Sequence, residues 1–299
     1  MVWIYDTHAR TLYMAPQHVA GNFLHWLPGG SGHTFLYRPV LPQGPGAPFD
    51  GGTWNPGLWL VDAATGEHRN IAIGVPSVDL IDAVPSPDGR RIIYSTTAGL
   101  GQGSAVFLMK RDGSERRRLF ALEGAEARAI AGLFRWSPDG AHIAYERLSD
   151  SVIPFLPAGL WLMNAQGTEQ RWLADVDGGH GFRPVWSPDS RSIACVVRTN
   201  VDDHLADTQA QALQSAIGVV EVQSRRFWLA ASPAQTQVQW NINPTWTADS
   251  ASITFTALNP LNRIVGSTPR YWSAQIDGHH TLPVLKPLTQ PLQHIIALS

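Results

Sequence analysis

The chain has 299 residues, 44% of them hydrophobic, enough for a large core; the length suggests two domains of ordinary size, with all-β barrels and propellers as the exception. Its 22 Lys and Arg and 24 Asp and Glu are scattered, giving a formal charge of -2 and excluding a basic footprint for nucleic acid or an anionic membrane surface. A single cysteine, Cys195, excludes an intrachain disulfide and a thiolate metal cluster, and no run of 18 apolar residues offers a membrane span.

Met1 to Asp6 lacks the charged and apolar regions of an export signal, so none is expected. Instead Val2-Trp-Ile-Tyr-Asp6 followed by Arg10-Thr-Leu-Tyr13 reads as a β-hairpin. Trp26-Leu-Pro-Gly-Gly, leading to Phe35-Leu-Tyr37, opens a phrase that then recurs in fuller form. The copies are Pro85-Ser-Pro-Asp-Gly-Arg-Arg-Ile-Ile-Tyr94, Trp136-Ser-Pro-Asp-Gly-Ala-His-Ile-Ala-Tyr145, Trp186-Ser-Pro-Asp-Ser-Arg-Ser-Ile-Ala-Cys195 and Trp246-Thr-Ala-Asp-Ser-Ala-Ser-Ile-Thr-Phe255. They lie roughly 50 to 60 residues apart, the period of one four-stranded propeller blade with its loops.

The phrase has a mechanism. Ser accepts a turn hydrogen bond, Pro pre-sets φ, Gly supplies the positive φ that ends the turn, and Asp bonds nearby backbone amides. Residues two apart, such as Ile92 and Tyr94 or Ile143 and Tyr145, then share one face of a strand and pack blade against blade. An outer hairpin follows each inner one: Leu58 to Gly66, Val106 to Gly113, Leu160 to Gly167, the weaker Val219 to Arg225, and Tyr271 to Gly278. Six outer hairpins against five inner ones imply that a strand-like Gln293-His-Ile-Ile-Ala-Leu-Ser299 completes a composite last blade with the N-terminal hairpin. The expectation is one all-β domain over 1–299, a six-bladed β-propeller.

These phrases resemble the PD40, or WD40-like, repeats of the TolB C-terminal propeller, from Trp3 to about Leu285. The resemblance implies a propeller fold. It leaves function open, since such propellers serve TolB-like periplasmic proteins, prolyl-oligopeptidase-like serine peptidases and some lyases. An extracytoplasmic address is compatible with it, but the α/β domain that precedes the TolB propeller has no counterpart here.

Catalytic signals are missing from the string. Gly29-Gly-Ser-Gly-His33 and Gly101-Gln-Gly-Ser104 do not match a nucleophile elbow, and none of the 11 histidines has a His-x-x-x-His or His-Glu-x-x-His partner. The aspartates Asp88, Asp139, Asp189 and Asp249 sit inside the repeated turn and are read as structural. No catalytic residue, metal or cofactor is assigned.

Binding is expected instead at the long, dissimilar loops between the second and third strands of each blade, on a rigid scaffold. The first, Arg38 to Pro56, carries Phe49 and Trp54; the fourth, Thr199 to Ile217, has helix-like composition over 202–213. His25, Asp79, Asp82, Arg135, His180, Arg183, Asn241 and Asn243, all near the innermost strands, are expected to line the channel mouth on that face together with Trp54. The resulting reading is a monomeric, non-enzymatic scaffold for a protein, peptide or glycan, with no nucleic acid and no membrane insertion. Its alternative is an enzyme or enzyme-gating propeller, either a lyase or hydrolase using His25, His180 and Arg183, or part of a peptidase.

Overall fold

The computed structural model describes residues 3–6, 10–14, 21–29, 33–39, 57–72, 79–150, 156–177, 182–259, 269–276 and 285–288. Within these the chain is a succession of antiparallel sheets, each built in chain order from its innermost strand outward. A two-stranded sheet pairs β1 (Trp3–Asp6) with β2 (Thr11–Met14). The first four-stranded sheet holds β3 (Gly21–Trp26), β4 (Thr34–Pro39), β5 (Leu58–Asp62) and β6 (His68–Ala72). The second holds β7 (Asp79–Pro85), β8 (Arg91–Thr97), β9 (Ser104–Lys110) and β10 (Arg117–Leu122).

The third comprises β11 (Ala129–Trp136), β12 (His142–Ser149), β13 (Ala158–Asn164) and β14 (Arg171–Val176). The fourth comprises β15 (Val185–Trp186), β16 (Ser192–Arg198), β17 (Ser215–Glu221) and β18 (Phe227–Ala231). The fifth comprises β19 (Trp240–Trp246), β20 (Ser252–Leu258), β21 (Arg270–Gln275) and β22 (Leu285–Leu288). One parallel bridge, Ser215 to Trp240, joins the fourth and fifth sheets. The expected closing strand over 293–299 lies outside the described residues, so the count of six blades stays an expectation from sequence.

Two compact units divide the chain, one running to Gly132 and one from Leu133 to Ala297, with the boundary inside β11. In the first unit, Leu36, Leu60 and Ile71 pack with Ala83, Ile92 and Tyr94 in one apolar layer between neighbouring sheets. In the second, Ile193 and Cys195 of β16 belong to the layer shared with Ala144, Leu160 and Leu173. Ala194 and Val196 of the same strand belong to the layer shared with Ile253 and Phe255. Side chains alternate across a strand, so a second strand sandwiched between two sheets needs apolar residues at both parities, which is what Ile-Ala-Cys-Val supplies.

The repeated turn closes on itself as its residue types require. In the second sheet the Ser86 hydroxyl donates to Asp88 Oδ1 at 2.5 Å and accepts from Arg91 N at 3.0 Å, while Arg90 N donates to the same Asp88 oxygen at 3.0 Å. Ser137 with Asp139, Ser187 with Asp189 and Thr247 with Asp249 repeat the first contact at 2.5, 2.6 and 2.6 Å. The last turn residue is left-handed in every copy: Gly89 at φ 65°, Gly140 at 70°, Ser190 and Ser250 at 61°.

Where Ser replaces Gly, its hydroxyl does a second job that the sequence does not advertise. Asp139 N donates to Ser190 Oγ, and Asp189 N to Ser250 Oγ, both at 3.1 Å, so each turn is latched to the turn of the preceding sheet. At Gly89 a Cβ would lie 1.9 Å from the Pro28 carbonyl oxygen, and only glycine fits. The repeat tryptophans add a second latch. Trp186 Nε1 donates to the Arg135 carbonyl and Trp246 Nε1 to the Val185 carbonyl, both at 3.0 Å, which lets these large, nearly buried rings keep their polar group satisfied.

Candidate functional site

Each sheet has two ends. The turns between first and second and between third and fourth strands lie at one, and the loops between second and third strands at the other. Turn-end polar groups are consumed locally: Asp62 Oδ1 accepts from Ala64 N and Thr65 N, and Asn164 Oδ1 from Gln166 N and Thr168 N. The hydroxyl of Ser86 holds the Asp88 carboxyl below the usual range, and that of Thr247 does the same for Asp249.

At the loop end of the second unit, polar groups are buried and no longer repetitive. Asn241 Nδ2, on β19, donates to the Ser215 carbonyl at 2.9 Å, and Ser215 Oγ, on β17, donates to Asp177 Oδ2 at 3.2 Å. Asp177 follows β14 and donates its own amide to the Val196 carbonyl at 2.9 Å. Beside it Glu146 projects from β12, with 1% of its surface exposed and Oε2 accepting no hydrogen bond; the buried Asn241 Oδ1 likewise has no partner. Burial first, and then the Asp177 carboxylate, push the Glu146 carboxyl well above its usual range, partly countered by the Arg183 guanidinium. Burial, with Glu146 second, also pushes the Cys195 thiol far up, so the lone cysteine is an inert packing residue.

Glu146 and Asp177 are 1% and 2% exposed, so the raised Glu146 carboxyl is enclosed within the second unit. Among the described residues no group of three or more His, Cys, Asp or Glu is placed to hold a metal ion.

The residues expected from sequence divide accordingly. Asn241 belongs to this buried group, and the half-buried Arg183 acts on Glu146 through its charge. Asn243 is exposed on β19, in the left-handed conformation at φ 55° where the register with β20 shifts. Arg135 stands one residue before Trp136 at the turn end of β11, and its carbonyl receives Trp186. In the first unit His25 is likewise at the turn end of β3, whereas Asp79 opens β7 at the loop end and is exposed. Asp82 is buried at a register shift in β7, where Oδ1 accepts the Ala83 amide at 3.0 Å. Trp54 and His180, like Phe49, lie outside the described residues. Sequence reasoning passed over Glu146, Asp177 and Ser215. The signal for Glu146 was its place directly after Ile143-Ala-Tyr145, where the other full copies of the phrase carry Ser95, Val196 and Thr256.

The fourth loop lies between β16 and β17. It carries α1 (His204–Thr208) and a 3-10 turn over Ala210–Ala212, in line with its helix-like composition. Arg198, with a side chain only 2% exposed, pairs with Asp207 at 2.9 Å and donates to the carbonyls of Asn200 and Asp203. Asn200 ties the two flanks, donating to the Ala212 carbonyl at 2.9 Å and accepting from Gln214 N at 2.9 Å.

No family model matches the chain. A 95-residue stretch, 31% of this chain, is 35% identical to the uncharacterized peptidase YuxL of Bacillus subtilis (strain 168) and spans only 13% of that relative's length. Among solved structures, a puromycin-hydrolyzing peptidase of Mycobacterium tuberculosis aligns with a TM-score of 0.54 at 10% identity, covering 93% of this chain and 40% of the other. A protein assigned as TolB from Agrobacterium tumefaciens aligns with a TM-score of 0.50 at 17% identity, covering 95% of this chain and 86% of the other. At such identities the likeness is one of fold. With the repeated turns and the chain-order antiparallel sheets, it establishes that this chain has the TolB-like β-propeller fold.

Proposed function

We propose that the protein is a non-enzymatic binding scaffold that meets a protein, peptide or glycan partner through the loops between second and third strands. The observation that carries this reading is the placement of exposed apolar side chains. Of six large exposed hydrophobic residues among those described, four stand in these loops: Leu100 in the first unit and Leu156, Val201 and Leu205 in the second. The other two, Trp172 and Phe227, stand beside the turns that open the fourth strands β14 and β18, so four of the six are at the loop end and two at the turn end. Apolar groups held in water on a rigid frame are what a contact surface needs.

The test immobilises the full chain, selects ligands from a displayed peptide library and a glycan array, and compares variants. Leu156→Ser should weaken selected ligands while the turn-end variant Glu115→Gln should not; equal loss from both would overturn the reading. A second reading, a propeller that gates a peptidase, is favoured by the 35%-identical stretch shared with a peptidase. It requires peptide ligands, and a chain that took only glycans would exclude it.

A further inference from the structure

We infer that the loop of residues 199–214 is a preformed acidic and apolar docking element whose partner is a basic amphipathic peptide segment, an inference that rests on the scaffold reading above. Three features converge on this loop. Val201 and Leu205, 55% and 53% exposed, stand four residues apart across the start of α1 and are directed to solvent. The loop is held still from below: the buried Arg198 binds Asp207 and the carbonyls of Asn200 and Asp203, and Asn200 clamps the far flank at Ala212 and Gln214. A loop whose conformation is fixed before contact loses little entropy on binding, which is how a small apolar tip gains affinity.

Charge names the partner. The stretch 199–214 contains Asp202, Asp203 and Asp207 and no Lys or Arg. Arg198 points inward and is compensated by Asp207, and the Asp203 carboxylate caps α1 at Leu205 N and accepts from Asn200 Nδ2, so the tip is net acidic with Asp202 as its exposed carboxylate. A partner that offers aliphatic or aromatic side chains flanked by Lys or Arg covers Val201 and Leu205 and meets the exposed Asp202 carboxylate at the rim. An acidic segment meets like charge there.

The experiment uses the full chain and a displayed library of random peptides, with synthetic copies of the enriched sequences titrated onto the wild type and onto Val201→Ser/Leu205→Ser. Enriched sequences should combine Lys or Arg with aliphatic or aromatic residues. They should bind the double variant about tenfold more weakly, the loss of one good contact cluster. Their binding should also weaken as salt rises from about 0.05 to about 0.5 M. Because both side chains are exposed, the variant should melt like the wild type and keep slow amide exchange at Gln214. No enrichment, acidic or neutral binders, or equal affinity for the double variant would overturn the inference. Binders that lose affinity on Leu100→Ser or Leu156→Ser instead would leave the scaffold reading standing without it, while binders that protect the turn ends would remove both.

Discussion

The two ends of each sheet solve opposite problems with similar residues. At the turn end Ser, Asp and Gly satisfy one another within a few residues, and contacts such as 2.5, 2.5, 2.6 and 2.6 Å recur from sheet to sheet. At the loop end, polar groups from β12, the segment after β14, β17 and β19 meet over long separations and leave Glu146 Oε2 and Asn241 Oδ1 unpaired. Repetition thus marks what the fold requires, and departure from repetition marks where the molecule differs from a generic propeller.

The largest effect expected from breaking the repetitive side is Trp186→Ala. It opens a cavity in a nearly buried site and leaves the Arg135 carbonyl without its donor, and should cost about 3 to 5 kcal/mol by denaturant unfolding. An unchanged midpoint would mean that the ring does not hold the sheets together. Next comes Gly89→Ala, whose Cβ meets the Pro28 carbonyl oxygen and whose φ of 65° disfavours any side chain. It should cost about 1 to 3 kcal/mol. The same change at Gly140, where nothing lies within 4 Å of an added Cβ, should cost less, which isolates the clash from the φ penalty.

Acid and base sharpen the comparison, because the two ends titrate with opposite sign. Asp88 is held below its ordinary value of 3.8 by Ser86, so the stability it contributes is present above that value and lost as pH falls through the folded pKa. Glu146 is raised above its ordinary 4.5, so the unfolded chain releases its proton first. The contribution of Glu146 favours the fold fully below about 4.5 and is lost as pH climbs above it until Glu146 ionises. Unfolding midpoints of Glu146→Gln across this range should lack that alkaline-side decline and exceed the wild type at neutral pH. A difference between the two proteins that is constant with pH would contradict the buried-acid account.

The smallest effect is expected at Ser250→Gly. The change removes the oxygen that accepts Asp189 N but relieves a left-handed serine at φ 61°. Loss of the bond, about 0.5 to 1.5 kcal/mol, and relief of roughly 1 kcal/mol nearly cancel, so the midpoint should hardly move.

Much of the turn end was legible in the string, since Ser-Pro-Asp-Gly encodes its own hydrogen bonds and the Ile-x-Tyr spacing encodes one buried face of a strand. The latches were not, because Ser190 and Ser250 look like worn glycines until the neighbouring turn is in place. The loop end was legible only as length and irregularity. Arg183 and Asn241 were drawn in by polarity near an inner strand, yet Glu146 and Asp177 were passed over, because pairing across roughly 30 residues is set by sheet stacking and not by local spacing. Arg135 and His25 fell at the other end for a simple reason: they precede the turn directly, and strand direction sends them away from the loops.

The most direct test of the division between a structural end and a binding end is hydrogen exchange on the full chain with and without a selected ligand. The account predicts added protection over 97–104, 149–158 and 198–215, with unchanged exchange at the turns 86–91, 137–142, 187–192 and 247–252. Protection confined to those turns would contradict it.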